Sequence, residues 1–527
     1  MLKTDQEYRN QIKQVGKYNL KDTHRWRERA IYFQEYGNYE PDNIIPDTKD
    51  WDDFWDEEER RIMEGLWIDG FYIPGLYYLY LNYLPIYQKQ LKKYEFPDVY
   101  DSDYHTFLCL EHAIFLKQHF VVIKKRQSGF TLKFCTPLIR EQFFGRGSPN
   151  YIATYEEAQV KKTWMEVLEP YREHMNTHTP WYRDFNPSKP LDWRAAKEVI
   201  DEFGRKLIKG RKNTLKGLIL SKSASKGVGG SGTFIFCDEA GVNPVLSKFV
   251  GYVKPMIEYG DVVTGTIIVS GAVGELKHLE GGLKEYIINP RKYKFYAVDN
   301  IWDKDNEFAG RKCGFFVPES WAYFGVDRDP NSEFYGQPFI DEHGNSFVER
   351  AEEYIKKKRL GLIPDENIDE EEESISQDDK FDISQKPLTL AECFQYRGEN
   401  IFPLELLNPQ IEKVERRELH GVYVDLYETQ SKEIKHKILD KYTNKPILEH
   451  PIDPKRKDKE GVIQVWEFPP SNRATYGVYW AGVDIVKDAE SINSPSLNVI
   501  HIYKGAHDME GEFKEKILVA KYMSRPK

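Results

Sequence analysis

Apolar residues in the middle of the chain are spaced as in a strand followed by a helix. The β-branched run Val121–Ile123 predicts a buried strand, because such side chains pack well on a sheet. A turn containing Gly129 comes next, and the apolar residues after that turn recur at helical spacing. A helix is also predicted over Tyr104–His119, directly before the strand. The expected order is therefore helix, strand, loop and helix.

Three further apolar runs extend this pattern. Each predicts a strand, and they cover Asn150–Thr154, Gly232–Ala240 and Thr266–Ala272. A helix is expected to begin near Glu156, between the first two of these strands. Strands that alternate with helices form parallel sheets with right-handed crossovers. The sequence therefore predicts an α/β fold built on a parallel sheet.

The segments on either side have different patterns. Residues 1–60 are polar and helical in tendency, whereas Gly70–Tyr83 is rich in aromatic residues. Aromatic residues at this density are typical of core packing, with stacking on an adenine base as the alternative. The stretch Pro364–Ser374 is acidic and poor in apolar residues, which is typical of a mobile loop or insertion. Three strands at hairpin spacing are predicted near the end, at Val478–Ile485, Leu497–Tyr503 and Ile517–Tyr522.

Composition and charge narrow the class of protein. The chain has 527 residues, enough for two or three domains, and 40% hydrophobic with 30% charged residues is typical of a soluble globular protein. The formal net charge is −10, so any contact with nucleic acid has to come from a local basic patch. The five cysteines form no C-x-x-C pair, which argues against a zinc site or disulfide framework and fits a reducing cytosol. We recognise no signal peptide and no apolar run near the roughly 18 residues that span a membrane.

The loop after Val121–Ile123 carries candidate phosphate chemistry. A strand, a glycine-containing loop and a helix cradle a phosphate with backbone N–H groups and the helix N-terminus. Against the motif G-x-x-x-x-G-K-[ST], Gly129 and Thr131 match. Lys124 stands at the first glycine and Phe130 at the lysine. Alone the match is weak, and a basic turn between an ordinary strand and helix is an equal alternative.

Two later strands favour the phosphate interpretation. Gly232–Ala240 is an apolar strand ending in Asp238 and Glu239, the form of a Walker B strand. Asp238 is expected to hold Mg²⁺ through water, and Glu239 to orient the water that attacks the γ-phosphate. Ser270, near the end of Thr266–Ala272, stands where motor ATPases sense the γ-phosphate. Together these segments predict an ATPase with ATP and Mg²⁺ as cofactors.

The run Arg126-Gln-Ser-Gly-Phe-Thr131 resembles the R-Q-x-G-x-[ST] loop of large terminase subunits, the DNA-packaging motors of tailed bacteriophages. That family tolerates a loop lysine at the beginning of the motif, a place that Lys124 fills here, with Lys125 as the alternative. The resemblance implies that Arg126 stabilises transition-state charge and that Thr131 binds Mg²⁺. It implies a nucleotide site formed by Lys124, Lys125, Gln127, Ser128, Gly129, Phe130, Thr131, Asp238 and Ser270.

The resemblance also gives expectations for the end of the chain. RNase H-like nucleases open with three antiparallel strands, the first of which carries a metal-binding aspartate, and Asp484 matches that residue. We expect Asp484 to be buried in an apolar strand, where a carboxylate is unfavourable without a metal ion or hydrogen bonds. The alternative to a metal ligand is therefore a hydrogen-bonded strand residue. Two-metal cleavage needs further carboxylates, and none follows in the right context before Lys527, so we expect an incomplete site for Mg²⁺ or Mn²⁺. Leu388–Phe394 and Asn400–Pro403 resemble the terminase segment between motor and nuclease.

A basic run lies between the predicted strands of the ATPase. It contains no acidic residue, and its eight basic residues are Arg205, Lys206, Lys209, Arg211, Lys212, Lys216, Lys222 and Lys226. Such a run is able to bind a phosphate backbone with an affinity that falls as salt rises. The alternative is an ordinary solvated face.

These expectations define domains, partners and alternatives. The domains are an N-terminal helical and aromatic region (1–100), a P-loop ATPase domain of RecA-like or ASCE-like type (101–362), a lid or linker region with the acidic loop (363–462) and the start of an RNase H-like α/β nuclease domain (463–527). The implied partners are double-stranded DNA, a portal protein and a small terminase subunit, in a homo-oligomeric ring on the procapsid in the host cytoplasm, without membrane contact. A helicase-like DNA-dependent ATPase and a non-hydrolysing, nucleotide-binding structural subunit remain as alternatives.

Overall fold

The chain forms two compact units, Met1–Ile401 and Phe402–Lys527. The computed structural model describes residues 2–88, 91–126, 128–183, 190–200, 202, 205–221, 230–260, 262–272, 282–304, 306–363, 383–394, 421–440, 446–447, 461–469, 478–484, 497–507 and 513–524. Five features singled out in the sequence lie outside these residues, namely Gln127, Lys222, Lys226, Pro364–Ser374 and Asn400–Pro403.

The first unit contains helices on both faces of a central sheet. Its α-helices are α1 (Asp5–Gln11), α2 (Glu28–Tyr36), α3 (Lys49–Glu64), α4 (Gly75–Tyr83), α5 (Asp101–Phe115), α6 (Phe130–Phe144), α7 (Glu157–Thr163), α8 (Glu169–His178), α9 (Leu246–Ile257), α10 (Leu283–Ile288), α11 (Val348–Arg359) and α12 (Leu390–Cys393). The 3₁₀-helices are Thr23–Arg27, Ala240–Val242 and Pro290–Tyr293, and a π-helix, Trp164–Leu168, joins α7 to α8. Over the part of the chain that is described, no helix has both the length and the apolarity to cross a membrane.

The strands of the first unit are mostly short. They are β1 (Leu66–Ile68), β2 (Phe71–Ile73), β3 (Ile86–Gln88), β4 (Lys93–Glu95), β5 (Phe120–Lys124), β6 (Pro149–Thr154), β7 (Asp192–Arg194), β8 (Lys197–Ile200), β9 (Lys206–Lys209), β10 (Thr214–Ile219), β11 (Phe234–Cys237), β12 (Glu258–Tyr259), β13 (Val262–Val263), β14 (Thr266–Ala272), β15 (Val298–Asp299), β16 (Lys312–Cys313) and β17 (Phe315–Val317).

Seven of these strands form the central sheet, in the order β17-β5-β14-β11-β6-β10-β7. Every neighbouring pair is parallel except β10 and β7. All residues of β5 and β14 are buried, as expected for parallel strands with helices on both faces. The parallel sheet predicted from the apolar runs is confirmed, and β14 lies between β5 and β11.

The two faces of this sheet belong to different cores. Val122, Ile268 and Phe236 pack in the core that includes α6, and the ring of Phe236 lies 5.6 Å from that of Phe134 on this helix. The odd-numbered residues of β5, β14 and β11 pack in the core on the opposite face. Because side chains alternate along a strand, the even-numbered positions at the carboxyl ends of these three strands point toward α6.

The aromatic N-terminal segment is part of the same core. All residues of α4 are buried, and the hydroxyls of Tyr78 and Tyr83 donate to the buried carboxylate of Glu58. The other oxygen of Glu58 accepts from Arg29 and Arg61, so its charge is compensated. These tyrosines are therefore core residues, and they do not present a stacking surface for an adenine base.

Within the described residues of the second unit, six strands form an antiparallel sheet. Its strands are β18 (Val422–Glu428), β19 (Ile434–Ile438), β20 (Ile463–Val465), β21 (Tyr479–Asp484), β22 (Asn498–His507) and β23 (Phe513–Ser524), in the order β19-β18-β20-β23-β22-β21. The three predicted strands are confirmed as the antiparallel run β21, β22 and β23. The sheet also includes β18 and β19, which fall in the range expected to be a linker. The RNase H-like architecture and the domain boundaries remain predictions.

Candidate functional site

The loop of residues 124–131, here named the phosphate loop, turns the chain from β5 into α6. Gly129 adopts the left-handed backbone conformation (φ 68°) at the N-cap of α6, which favours glycine. A Cβ atom at this position would have room, since its nearest neighbour would be 3.8 Å away. Glycine is therefore favoured here by the backbone angle and not by lack of space. The Ser128 hydroxyl donates to the Lys125 carbonyl at 2.8 Å and closes the loop. The N-terminus of α6 is thereby presented at the carboxyl edge of the sheet.

Thr131 and Asp238 meet at this edge. The Thr131 hydroxyl donates to Asp238 Oδ2 at 2.7 Å, and the Glu239 N–H donates to Oδ1 at 3.0 Å. Asp238 is only 2% exposed, and burial raises its pKa to about 6, against the opposing effect of the Lys124 charge. A hydroxyl and a carboxylate held together in this way are the oxygen ligands that Mg²⁺ prefers.

The two candidate lysines have different surroundings. Lys124 is buried on the α6 face of the sheet. Its positive charge is close enough to Asp238 to offset part of the rise in the pKa of that carboxyl. Lys125 Nζ donates to three backbone carbonyls, those of Glu319 (3.1 Å), Trp321 (2.8 Å) and Ala322 (2.8 Å). An ammonium group has three donors, and all three are used. The geometry therefore favours Lys124 as the lysine that contacts a phosphate.

Phe130, at the usual position of the motif lysine, is a core residue. It is buried, and its ring lies 5.3 Å from that of Phe134. Lys133, which was not among the predicted site residues, lies over the Phe130 ring, donates to the Ser128 carbonyl at 2.8 Å and pairs with Asp103 at 2.5 Å. This buried pair ties the phosphate loop to α5. The sequence does contain a signal for this buried pair, because Lys133 stands within an apolar helical run.

Glu239 lies at a strained position directly after Asp238. Its φ of 51° is left-handed, which is uncommon for a residue with a side chain and typical of functional sites. The 3₁₀-helix Ala240–Val242 follows and packs onto β14 at Gly271. A Cβ atom at Gly271 would lie 2.4 Å from the Gly241 nitrogen, so only glycine permits this approach. Gly271 was not among the residues predicted from the sequence, although a glycine within a strand is a signal for close backbone contact.

Ser270 completes the group on the α6 face. It is fully buried, and its hydroxyl has no hydrogen-bond partner within the described ranges. An unpaired buried hydroxyl is unfavourable, so a bound group that supplies a partner would be stabilised there. The structure therefore brings Lys124, Thr131, Asp238 and Ser270 to one side of one sheet edge.

Arg126 and Asp484 are placed differently. Arg126 is exposed, and its backbone N–H donates to the Gln385 carbonyl at 3.2 Å. Asp484 is exposed at the end of β21, an edge strand of the second unit. We expected a buried carboxylate that needs a metal ion or hydrogen bonds as compensation, and that premise is wrong because water solvates the group. Among the described residues, Asp484 belongs to no group of three or more metal-ligating side chains.

Among the described residues, the part of the basic run that precedes β10 lies at the opposite, amino edge of the sheet. β8 and β9 form a hairpin that precedes β10, and β10 starts at the amino end of β6. Arg211 donates to the carbonyl of Phe144 at 2.7 Å and so caps the C-terminus of α6. The exposed residues of the run, here named the basic edge, are Arg205, Lys206, Lys209, Lys212 and Lys216.

The basic edge also has exposed apolar side chains. Ile200 is 69% exposed and Ile208 is 44% exposed, and the two lie on the same face of the hairpin. The helix α6 starts at the phosphate loop and ends beside Arg211. The phosphate loop and the basic edge are therefore separated by the length of α6, about 22 Å for 15 residues.

Comparison with known proteins adds weak likenesses. No protein-family profile and no curated protein sequence matches the chain. Among solved structures, the large terminase ATPase domain of Thermus phage P74-26 is 16% identical over 47% of this chain and 84% of that chain, with a TM-score of 0.30. The large terminase of bacteriophage HK97 is 11% identical over 84% of this chain and 66% of that chain, also at 0.30. The Phi-28 gp11 DNA packaging motor is 14% identical over 48% and 66%, at 0.23. At such low TM-scores these likenesses carry no argument about this chain.

Proposed function

We propose that the chain is an ATP-hydrolysing DNA-packaging motor subunit of the large terminase type. The observation that carries the ATPase part is the 2.7 Å hydrogen bond between Thr131 and Asp238. It joins the hydroxyl of the phosphate loop to the first acid after an apolar strand, at the carboxyl edge of a parallel sheet. The hydroxyl of Ser270, which has no partner among the described residues, and the left-handed Gly129 fit a bound phosphate at the same place.

Each residue has a role in this proposal. Thr131 and Asp238 hold Mg²⁺, which neutralises charge on the phosphate oxygens when it is bound. Lys124 supplies the positive charge that the motif lysine supplies elsewhere. Glu239 orients the attacking water, and its strained backbone fixes the direction of its carboxylate. Ser270 bonds the terminal phosphate and so distinguishes ATP from ADP.

The DNA-packaging part rests on the motif resemblance and on the basic edge. In a chain of net charge −10, this patch is the place for a DNA backbone to bind. Arg126, exposed within the phosphate loop, stabilises transition-state charge. Double-stranded DNA, a portal protein, a small terminase subunit and a ring of identical subunits on a procapsid in the host cytoplasm are the proposed partners and setting.

Asp484 is proposed as the first carboxylate of a nuclease site that needs Mg²⁺ or Mn²⁺ and further acids. One carboxylate is insufficient for a two-metal mechanism. We therefore expect no plasmid cleavage by the 527-residue chain in Mn²⁺. Robust cleavage that Asp484→Ala abolishes would contradict the expectation of an incomplete site while supporting the residue.

Substitution of the proposed water-orienting acid tests the function. We expect Glu239→Gln to bind MgATP with nearly unchanged affinity but to lose hydrolysis by a factor of 100 or more, because the amide keeps the shape and loses the charge. Binding is measured by calorimetry, and hydrolysis by phosphate release with and without duplex DNA. Glu342→Gln, at an exposed carboxylate with 86% side-chain exposure, is the matched control.

The same assays separate the alternatives. Equal loss of binding and hydrolysis in Glu239→Gln would indicate a structural acid. A wild-type chain that binds ATP but never hydrolyses it would be a structural subunit. DNA-stimulated hydrolysis accompanied by strand separation would indicate a helicase.

A further inference from the structure

We propose that Lys125 is a positioning residue, whose ammonium group fastens the start of the phosphate loop to residues 319–322 and so directs Lys124 at the bound phosphates. The inference rests on the proposed ATPase function. It assigns to Lys125 a role distinct from direct contact with nucleotide.

Contacts on both its main chain and its side chain hold Lys125. Its N–H donates to the carbonyl of Val317, the last residue of β17, at 3.1 Å. Its ammonium group donates to the three carbonyls of the segment that follows β17, and the residue is only 7% exposed. Lys125 directly follows Lys124, the last residue of β5. Fixing both the backbone and the side chain of Lys125 therefore limits the directions that the Lys124 side chain can take toward Asp238.

The carbonyl cage is itself built at a cost. Ala322 has a left-handed backbone (φ 50°), which is unfavourable for a residue with a Cβ atom. Its N–H donates to the Ser346 hydroxyl at 3.2 Å, and that hydroxyl donates to the buried carboxylate of Asp101 on α5 at 2.6 Å. The segment is thus braced against a helix of the core. Strain that persists in a braced segment is typical of a functional constraint.

The positive charge of Lys125 is also unfavourable in its buried position. Burial lowers the pKa of Lys125 to about 8, while the carboxylates of Glu319 and Asp103 raise it and Lys133 lowers it further. An apolar side chain would fill the space without this desolvation penalty. A lysine is needed only if the three carbonyls have to be gathered around one donor group, as the positioning role requires.

Steady-state kinetics on matched variants test the inference. We expect Lys125→Met to raise the KM for ATP at least tenfold, because Lys124 loses its fixed direction, while the protein stays folded. Lys124→Met is expected to lose hydrolysis in addition, because it removes the contact itself. Lys125→Ala is expected to regain at least half of the lost affinity in propylammonium, which is able to refill the cage. Lys21→Met, at an exposed lysine, is the control.

A pH profile separates positioning from a merely structural role. Above pH 8 Lys125 loses its proton, so the wild-type KM should rise, whereas the KM of Lys125→Met should not change for this reason. Global stability should respond in the opposite direction. Because the folded pKa lies below the ordinary 10.5, the unfolded chain binds more protons between about pH 8 and 10.5, and this group makes the free energy of unfolding rise there.

The outcomes are distinguishable. A wild-type KM for Lys125→Met would overturn the inference and leave the ATPase proposal intact. Lost hydrolysis with unchanged ATP affinity in Lys125→Met would assign Lys125 to the reacting phosphate, which also overturns it. A wild-type chain that does not bind ATP would overturn the proposed function and this inference together.

Discussion

Two residues at the centre of the site are held in unfavourable states. Asp238 carries its charge in a position that is only 2% exposed, and Glu239 has a left-handed backbone. The charge of Asp238 is unfavourable because the carboxylate is desolvated. The left-handed backbone of Glu239 carries a steric penalty of about 1 kcal/mol. Both residues belong to the group proposed to hold Mg²⁺ and to orient water. The stability lost at these residues is the expected counterpart of activity.

Removal of the buried charge at Asp238 should stabilise the protein while abolishing its activity. The folded pKa of about 6 exceeds the ordinary 3.8, so the native state binds more protons between these values and its stability falls as pH rises through that window. At pH 7 the full penalty, about 2–3 kcal/mol, is present. We expect Asp238→Asn to raise the free energy of unfolding at pH 7 by roughly 1–2 kcal/mol without Mg²⁺, with no hydrolysis.

Urea unfolding at pH 7 and pH 4 measures this effect. The gain should be largely absent at pH 4, where the wild-type carboxyl is protonated. Asp238→Ala is the control, because it removes the charge but leaves the Thr131 hydroxyl without its acceptor, so its gain should be smaller. An Asn variant that is less stable than wild type at pH 7 would contradict the prediction.

At the scale of elements, the strands with a clear apolar pattern were predictable. β5, β6, β11 and β14 carry apolar runs long enough to mark buried strands, and β14 matches the predicted range from end to end. Their alternation with helices was sufficient to predict a parallel sheet. The hairpin of β8 and β9 was not predicted, because its residues mix lysine with isoleucine on the same face and are mostly exposed.

Motif spacing in the sequence was sufficient to predict part of the candidate site. Thr131 and Asp238 follow recognisable strands and Ser270 lies near the end of one, and the structure places the three together at one sheet edge. Motif spacing could not tell Lys124 from Lys125, because the distinction depends on carbonyls almost 200 residues away. Neither could it explain Phe130, which packs in a core that only the folded chain forms.

The contact between β14 and the 3₁₀-helix after Glu239 gives a prediction at the element scale. A Cβ atom at Gly271 would lie 2.4 Å from backbone that has no flexible side chain to move away. We expect Gly271→Ala to lower the free energy of unfolding by about 2 kcal/mol or more, the range for overpacking in a core. It should also reduce hydrolysis, because the turn that carries Glu239 has to shift.

Thermal and urea unfolding with phosphate-release assays measure both effects. Gly251→Ala is the matched control, because Gly251 lies within α9 with ordinary backbone angles. A Cβ atom added there would have no neighbour within 4 Å in the described part of the chain. That variant should be neutral or more stable by up to about 1 kcal/mol, from helix propensity alone. Equal changes in the free energy of unfolding for Gly271→Ala and Gly251→Ala would contradict the prediction, which rests on the close approach of Gly271 to the Gly241 backbone.

At the scale of the whole molecule, charge is distributed unevenly. The net charge of −10 repels DNA on average, yet the basic edge gathers exposed lysines at the amino edge of the sheet. The proposed ATP site lies at the carboxyl edge, and α6 extends from one to the other. Its first turn carries Thr131, while the carbonyl of its last residue accepts from Arg211. A helix held at both ends is suited to couple the proposed DNA contact to the proposed hydrolysis.

Charge reversal at the basic edge tests this arrangement. The triple variant Lys209→Glu, Lys212→Glu and Lys216→Glu should weaken DNA-stimulated hydrolysis at least tenfold and leave DNA-independent hydrolysis unchanged, because the ATP site is about 22 Å away. Each phosphate contact contributes about 0.9 to the slope of log affinity against log salt. The slope for duplex DNA should therefore become shallower by up to about 3.

The control for this variant has to change the net charge by the same amount elsewhere on the first unit. Lys21→Glu, Lys248→Glu and Lys304→Glu do so at exposed positions outside the basic edge. If attraction were global, both triple variants would weaken DNA binding equally. If the patch is local, only the first changes the salt slope, because counterions are released only where lysines meet phosphates. An unchanged slope in the first variant would assign the run to an ordinary solvated face.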